Sequence, residues 1–265
     1  GGVTRSEAPE AREARTTERR LATSSTGDHP VVDREAWLDS RRAFLDREKQ
    51  FTRERDALTA ARRDLPRLEI TDDYRFASAA GSVSFDELFD GHPQLLVYHF
   101  MMGPDWEEGC PSCSFWADNF DGTQPHLAAR DTALVAVSRA PVDTIERYRE
   151  RMGWSFTWVS SLDSAFNFDM GVSFDPSDPA DQQANYNFGT QDMPGDEAPG
   201  ISAFFRDDSG RIFLTYQTFS RGLDMANGAY HLLDMTALGR HEDDLSWSMA
   251  WLHRHDAYPD RRAAR

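Results

Sequence analysis

The sequence predicts an α/β fold, a central mixed sheet flanked by helices, carrying a long N-terminal helical extension and an insertion loop. Three observations predict it. Apolar runs of strand length alternate with helical patterns between Leu95 and Ser160, two further strand patterns at 201–205 and 211–219 are joined by a tight-turn signal, and a polar stretch rich in Asp and Pro interrupts the alternation at 175–199.

Residues 1–29 mix Gly, Ser, Thr, Glu and Arg without apolar periodicity and read as a disordered tail. A helical extension fills 30–66. Within it, 34–63 is charge-rich, with Trp37, Phe44, Phe51 and Leu58 at every seventh residue, Leu38 and Leu45 beside the first two, and Pro66 as the stop. About 30 residues at 1.5 Å each make a rod of roughly 45 Å, more than a small domain needs to cover itself. Its narrow stripe suits either the core or a second subunit, so a homodimer through this helix is one expected arrangement. The main domain is expected over 67–258, with a short C-terminal tail at 259–265. Tyr74 to Phe89 reads as a hairpin or strand turning at Ala80 and Gly81, followed by one helical turn carrying Phe85, Leu88 and Phe89.

The run from Leu95 to Met102 has the length and composition of a buried strand, and Gly103, Pro104 and Asp105 break it. Thr132 to Ser138 is a second buried strand, Val142 to Met152 a helix, and Phe156 to Ser160 a short third strand, which together make a parallel βαβα unit. After the 175–199 insertion, Asp207, Asp208, Ser209 and Gly210 mark a hairpin turn that gives the sheet an antiparallel end. Leu223 to Leu238 closes the domain with helical character.

Cys110 and Cys113 are the only two cysteines, and they stand just after the first buried strand. Pro111 between them suits a first helical position, which places Cys110 at the cap and Cys113 one turn further in. Helix-end N–H groups favour a thiolate on Cys110, the form that attacks a disulfide or a peroxide, so Cys110 is expected to attack and Cys113 to resolve the mixed disulfide. Asp105, Glu107 and Glu108 oppose this by repulsion if they line the pocket, and leave the helix end dominant if they turn to solvent. Trp106 offers an apolar face for substrate. A structural zinc site lacks a second Cys pair, and a bridge closing so small a loop adds little stability.

A formal charge of −16 argues against nucleic-acid binding, which depends on Lys and Arg neutralising phosphates. No apolar stretch reaches the roughly 20 residues of a membrane helix, and no secretory signal core stands at the N-terminus, so the expected compartment is the cytoplasm. Thiol or disulfide substrates, protein or small molecule, are the expected partners.

The order of strand, Cys-x-x-Cys helix, strand, helix, hairpin and final helix is thioredoxin-like. Longer runs make the resemblance specific: residues 29–32, 98–101, the whole of 103–122 around the cysteines, 221–225 and 254–256. On these the chain resembles the thioredoxin-like bacterial family catalogued as domain-of-unknown-function family 899, from His29 to Tyr258. The resemblance implies a thioredoxin-like fold and leaves the reaction open. The region 134–153 is also similar to peroxiredoxins, which place a Thr three residues before the reactive Cys; here that position is Glu107, so the peroxide-binding pattern is not intact. Thioredoxins place a cis-proline at the start of the strand facing the dithiol, and Pro199 is the matching candidate, its alternative being an ordinary loop proline.

His99 lies inside the strand before the motif, on the opposite face from Tyr98 and Phe100, and reads first as a hydrogen-bonded structural residue. No metal or other cofactor is needed by the dithiol reading. The rival reading is a copper-binding protein that joins Cys110 and Cys113 to His99 or His231, as copper-handling thioredoxin relatives do with two Cys and one His. Asp118, Asn119 and Asp121 read as a helix end and turn rather than a calcium loop. His253, Arg254, His255 and Asp256, near Trp247 and Trp251, read as a docking segment.

Overall fold

Asp33 starts the first long element by accepting a hydrogen bond from the Ala36 backbone N–H at 2.9 Å through its carboxylate, the bond expected of a cap residue. From there the helix α1 runs over Arg34–Arg63 and finishes with two arginines in its last turn, where cations suit the helix end. In this computed structural model, residues 29–182, 186–192 and 195–259 are described. The expected N-terminal tail therefore lies outside the described residues except for His29, and the C-terminal tail except for Pro259.

The chain divides into two units, 1–59 with 233–241 and 60–232 with 242–265. In the first, no residue of α1 is buried, and Trp37, Phe44, Phe51 and Leu58 stand half or more exposed. Ion pairs Arg42–Asp39 and Arg41–Glu48 run along the helix, and Arg240 pairs with Asp234 in the short segment.

The second unit is built on an eight-stranded sheet. Its centre is β4 (Gln94–His99), which runs parallel to β5 (Thr132–Ser138) on one side and antiparallel to β7 (Gly200–Arg206) on the other. Outside β5 lies the parallel β6 (Thr157–Ser160), and outside β7 the antiparallel β8 (Ile212–Phe219). These five strands, with the dithiol helix α2 (Pro111–Ala117) leaving the end of β4, form the thioredoxin-like sheet that the sequence order implied. The edges are extended by β1 (Leu68–Ile70) against β8 and by the hairpin β2 (Arg75–Ser78) and β3 (Gly81–Ser84), which meets β6 only at Ala77 and Ser160. Helices α3 (Gln124–Ala128), α4 (Val142–Met152) and α5 (Phe166–Asp169) fill the connections.

Strand alternation divides the core into two aromatic layers. On one face Phe166 sits among Tyr74, Phe76, Phe85 and Phe204, with ring centroids between 5.0 and 6.2 Å. On the other, Tyr98 packs on Phe120 at 4.8 Å and Phe100 on Trp158 at 4.5 Å.

Three boundaries differ from the sequence expectation. The strand expected to reach Met102 ends at His99, because the Met101 N–H is turned to the Cys113 sulfur at 3.4 Å and its carbonyl accepts the Cys110 N–H at 3.1 Å. The helix expected over 223–238 breaks into a 3₁₀ segment, Ser220–Ala226, and α6, Gly228–Asp234. Asn227 causes the break: it is extended, and its buried Oδ1 accepts the Tyr230 N–H at 3.0 Å, starting a new helix. Strand β1 was not expected at all; it is three residues long and exists by pairing with β8.

Candidate dithiol site

Cys110 has φ −52° and ψ 130°, outside the helical region, and Pro111 begins α2 behind it. The extended cap and the proline turn the first cysteine out while the next turn carries the second inward. Cys113 is buried, Cys110 is partly accessible, and both are free thiols. Tyr98, reaching up from β4, donates its hydroxyl to the Cys113 carbonyl at 3.1 Å, and the Met101 N–H points at the Cys113 sulfur.

The two sulfurs are driven in opposite directions. The Cys113 thiol facing Cys110 is the main influence that lowers Cys110, to about 6, against the burial that raises it; the backbone N–H groups of Cys113 and Ser112 and the Arg254 cation add to the lowering. Burial pushes Cys113 well above its ordinary value, and the negative charge favoured on Cys110 pushes it further.

The acids before the motif separate. Glu108 is held by two arginines, Arg151 and Arg254, the latter at 3.0 Å, while Asp105 and Glu107 are exposed. None of the three is thereby left as a bare charge against Cys110 in the pocket. Trp106 lies on Gly103, where a β-carbon would stand 2.8 Å from the indole nitrogen, and keeps 38% of its surface exposed. Gly109 has no room for a side chain either, since a β-carbon would meet Phe100 at 2.5 Å and Tyr148 at 2.6 Å.

The remaining candidates fall elsewhere or change role. Among the described residues no peptide bond is cis, so Pro199 is a trans proline, which excludes the cis-proline candidate and leaves its alternative, a loop proline. It precedes Gly200, the partner of His99 in β4, and its carbonyl accepts the Tyr186 hydroxyl at 2.6 Å. His99 is buried on the far face of the sheet from the dithiol, its Nε2 bonded to Ser202 at 2.7 Å and its ring beside Phe166. Burial lowers it to about 3, which keeps it neutral. His231 is exposed on α6. The copper set is therefore not assembled: alternation in β4 sends His99 away from the sulfurs, and no group of three His, Cys, Asp or Glu able to hold a metal exists among the described residues.

Residues that the sequence did not assign to the dithiol site complete the surroundings. Arg254 donates to the Gly109 carbonyl at 2.7 Å and to the Tyr148 hydroxyl at 2.9 Å. Ser114 donates to the Cys110 carbonyl at 2.8 Å and lies 2.7 Å from the Tyr148 hydroxyl. Tyr186, from the insertion, is buried and close enough to Cys113 to feel its charge; burial is the main cause of its rise to about 12. Arg254 lay in the run read as a docking segment, and Tyr148 on the buried face of α4 with Ile145 and Met152. Asp118 caps the C-terminal end of α2, and its carboxylate accepts from Trp154 at 2.8 Å and lies 2.7 Å from His255 Nδ1.

Sheet order and the position of the cysteines define a thioredoxin-fold protein with a dithiol at the start of the helix that follows the central strand. More particularly, the chain belongs to the family described as "bacterial protein of unknown function (DUF899)", which matches residues 26–258. No curated protein matches it. Among solved structures it is similar to peroxidoxin BcpB from Mycobacterium tuberculosis, at 13% identity over 61% of this chain and 94% of that one, with a TM-score of 0.40. The bacterioferritin comigratory protein of Xanthomonas campestris is similar at 16% identity, 67% and 95% coverage and a TM-score of 0.40. A hypothetical protein from Sinorhizobium meliloti gives 15%, 63%, 83% and 0.37. At this level of superposition none of them adds an argument about chemistry. Among the described residues no helix is long and apolar enough to cross a membrane.

Proposed function

We propose that this chain is a thiol–disulfide oxidoreductase in which Cys110 attacks and Cys113 resolves. The observation that carries the reading is the placement of two free thiols one helical turn apart, Cys110 partly accessible at the cap and Cys113 buried behind it; the lowering of the first and the raising of the second accord with that placement. A nucleophile and a resolving thiol need that division.

The reaction balances as follows. The Cys110 thiolate attacks one sulfur of a substrate disulfide, the S–S bond breaks, and the leaving thiolate takes a proton. Cys113 then gives up its proton and attacks the Cys110 sulfur, forming the Cys110–Cys113 disulfide and releasing the second substrate thiol. Two electrons pass to the substrate, and an external thiol reductant restores the dithiol. Trp106, exposed on the loop leading to Cys110, is the proposed substrate-contacting side chain.

Insulin reduction driven by dithiothreitol tests the reading. Cys110→Ser abolishes turnover over the uncatalysed rate, and Cys113→Ser accumulates a mixed disulfide that mass spectrometry finds on Cys110. Full turnover by Cys110→Ser, or a mixed disulfide that accumulates on Cys113 in Cys110→Ser and not on Cys110 in Cys113→Ser, sinks the assignment.

A further inference from the structure

Three side chains outside the Cys-x-x-Cys motif form a chain of hydrogen bonds that ends on the backbone of Cys110. The Arg254 Nε donates to the Tyr148 oxygen at 2.9 Å. Ser114 uses its single proton on the Cys110 carbonyl at 2.8 Å, so at its 2.7 Å contact with Tyr148 it accepts, and the Tyr148 hydroxyl donates. The direction is thus fixed from Arg254 through Tyr148 and Ser114 to the Cys110 carbonyl. The same guanidinium donates to the Gly109 carbonyl at 2.7 Å and pairs with Glu108 at 3.0 Å. One side chain therefore reaches the carbonyls on both sides of the Cys110 α-carbon: that of Gly109 directly and that of Cys110 through two hydroxyls. Ser114 and Tyr148 are buried, and the Arg254 side chain keeps only 20% of its surface exposed, so little water competes with these bonds.

The packing excludes an incidental contact. The Gly109 backbone lies against the Phe100 and Tyr148 rings with no space for a β-carbon, so its carbonyl has few directions in which to point. A flat, five-donor guanidinium reaches two oxygens and a carboxylate at once, which an ammonium on a flexible stem does not reproduce.

We propose that Arg254 is a positioning residue: acting through Gly109, Tyr148 and Ser114, it fixes the Cys110 cap so that the sulfur stays over the helix end and within reach of Cys113. The inference rests on Cys110 being the attacking thiol. Its consequence is that reactivity at Cys110 depends on a side chain 145 residues away from Gly109 in sequence.

The test follows iodoacetamide alkylation of the reduced protein against pH, reading modification at Cys110 by mass spectrometry, with near-ultraviolet circular dichroism confirming native packing. Arg254→Gln is expected to raise the midpoint by about one unit and so to slow alkylation at pH 5, below both midpoints, by about tenfold, since tenfold there corresponds to one pKa unit. Tyr148→Phe, which keeps the ring and removes only the relay, is expected to slow it by about threefold, roughly one hydrogen bond's worth of positioning. Arg254→Lys is expected to resemble Arg254→Gln. Wild-type rate and midpoint in Tyr148→Phe and Arg254→Gln overturn the proposal, and so does wild-type behaviour of Arg254→Lys, which would make charge alone sufficient. If Arg254→Gln does not fold, Tyr148→Phe decides. A wild-type protein whose Cys110 is unreactive at neutral pH sinks the oxidoreductase reading together with this one, whereas a reactive wild type with unchanged variants sinks this one alone.

Discussion

His99 makes the stability of this protein depend on pH in a direction and amount that follow from its place in β4. The ring is buried, bonded at Nε2 to Ser202 and without a partner at Nδ1. Burial lowers its pKa from the ordinary 6.5 to about 3. Between those two values the unfolded chain binds a proton that the folded one refuses. Folding is therefore favoured fully above pH 6.5, and the contribution is lost as pH falls toward 3. Each pH unit well inside that window costs about 1.4 kcal/mol, so lowering the pH from 6.5 to 4 removes about 3 kcal/mol, a sizeable part of an ordinary domain's stability. Carboxylates titrate in the same range, so the measurement is a difference. His99→Phe removes the titrating ring and the unpartnered nitrogen, while Ser202 retains its 3.1 Å bond from Gln217. Urea unfolding followed by tryptophan fluorescence at pH 7 and pH 4 is expected to show the wild type losing about 3 kcal/mol more than the variant. A difference below about 1 kcal/mol would mean that His99 is hydrated or charged in the native state, which would refute the burial argument.

Two further predictions follow from neighbouring groups. Arg139 pairs at 2.8 Å with Glu197, whose carboxyl is buried and raised chiefly by that burial, and Arg139→Met leaves it unpaired at a cost of about 3 kcal/mol. Because a raised carboxyl binds its proton more tightly when folded, the loss grows as pH rises from 5 to 8; urea unfolding at both values checks it, and a flat loss under about 1 kcal/mol contradicts it. Trp106→Ala is expected to raise KM for insulin reduction severalfold with kcat little changed, because the indole is exposed on the loop leading to Cys110 and would contribute binding rather than chemistry. An unchanged KM would remove Trp106 from the substrate surface.

What was legible in the sequence was local. Apolar runs of strand length located β4 and β5, helical patterning located α1 and α4 at both ends, and Pro111 located the start of α2. Alternation along β4 already placed His99 opposite Tyr98, and that alternation is why the copper set never forms. The misses are long-range. Strand β1 has three residues and no pattern of its own apart from its partner β8, and Asn227 breaks a helix by capping the next one, which apolar spacing does not reveal. Arg254 was visible only as part of a docking run, since nothing local says that its guanidinium ends on Gly109. Tyr186 lay hidden in a polar insertion for the same reason, although its hydroxyl also accepts the Ser220 N–H at 2.9 Å and ties that insertion to the end of β8.

The asymmetry of the dithiol comes from backbone placement more than from nearby acid or base. Three carboxylates precede Cys110 in sequence, and by proximity alone they would raise it. The fold cancels this by pairing Glu108 with two arginines and leaving Asp105 and Glu107 in solvent, where screening weakens them. The influences that act at close range are then the Cys113 thiol, two backbone N–H groups and the Arg254 cation, and three of these four exist only because the chain turns into a helix at Pro111. Removing a carboxylate from the loop should therefore alter Cys110 less than disturbing the cap itself, and the cap is held by contacts from α4 and the 252–258 segment. The motif thus supplies both the two sulfurs and the helix start that favours charge on the first of them, and the hydrogen bonds from Tyr148 and Arg254 lie around that cap.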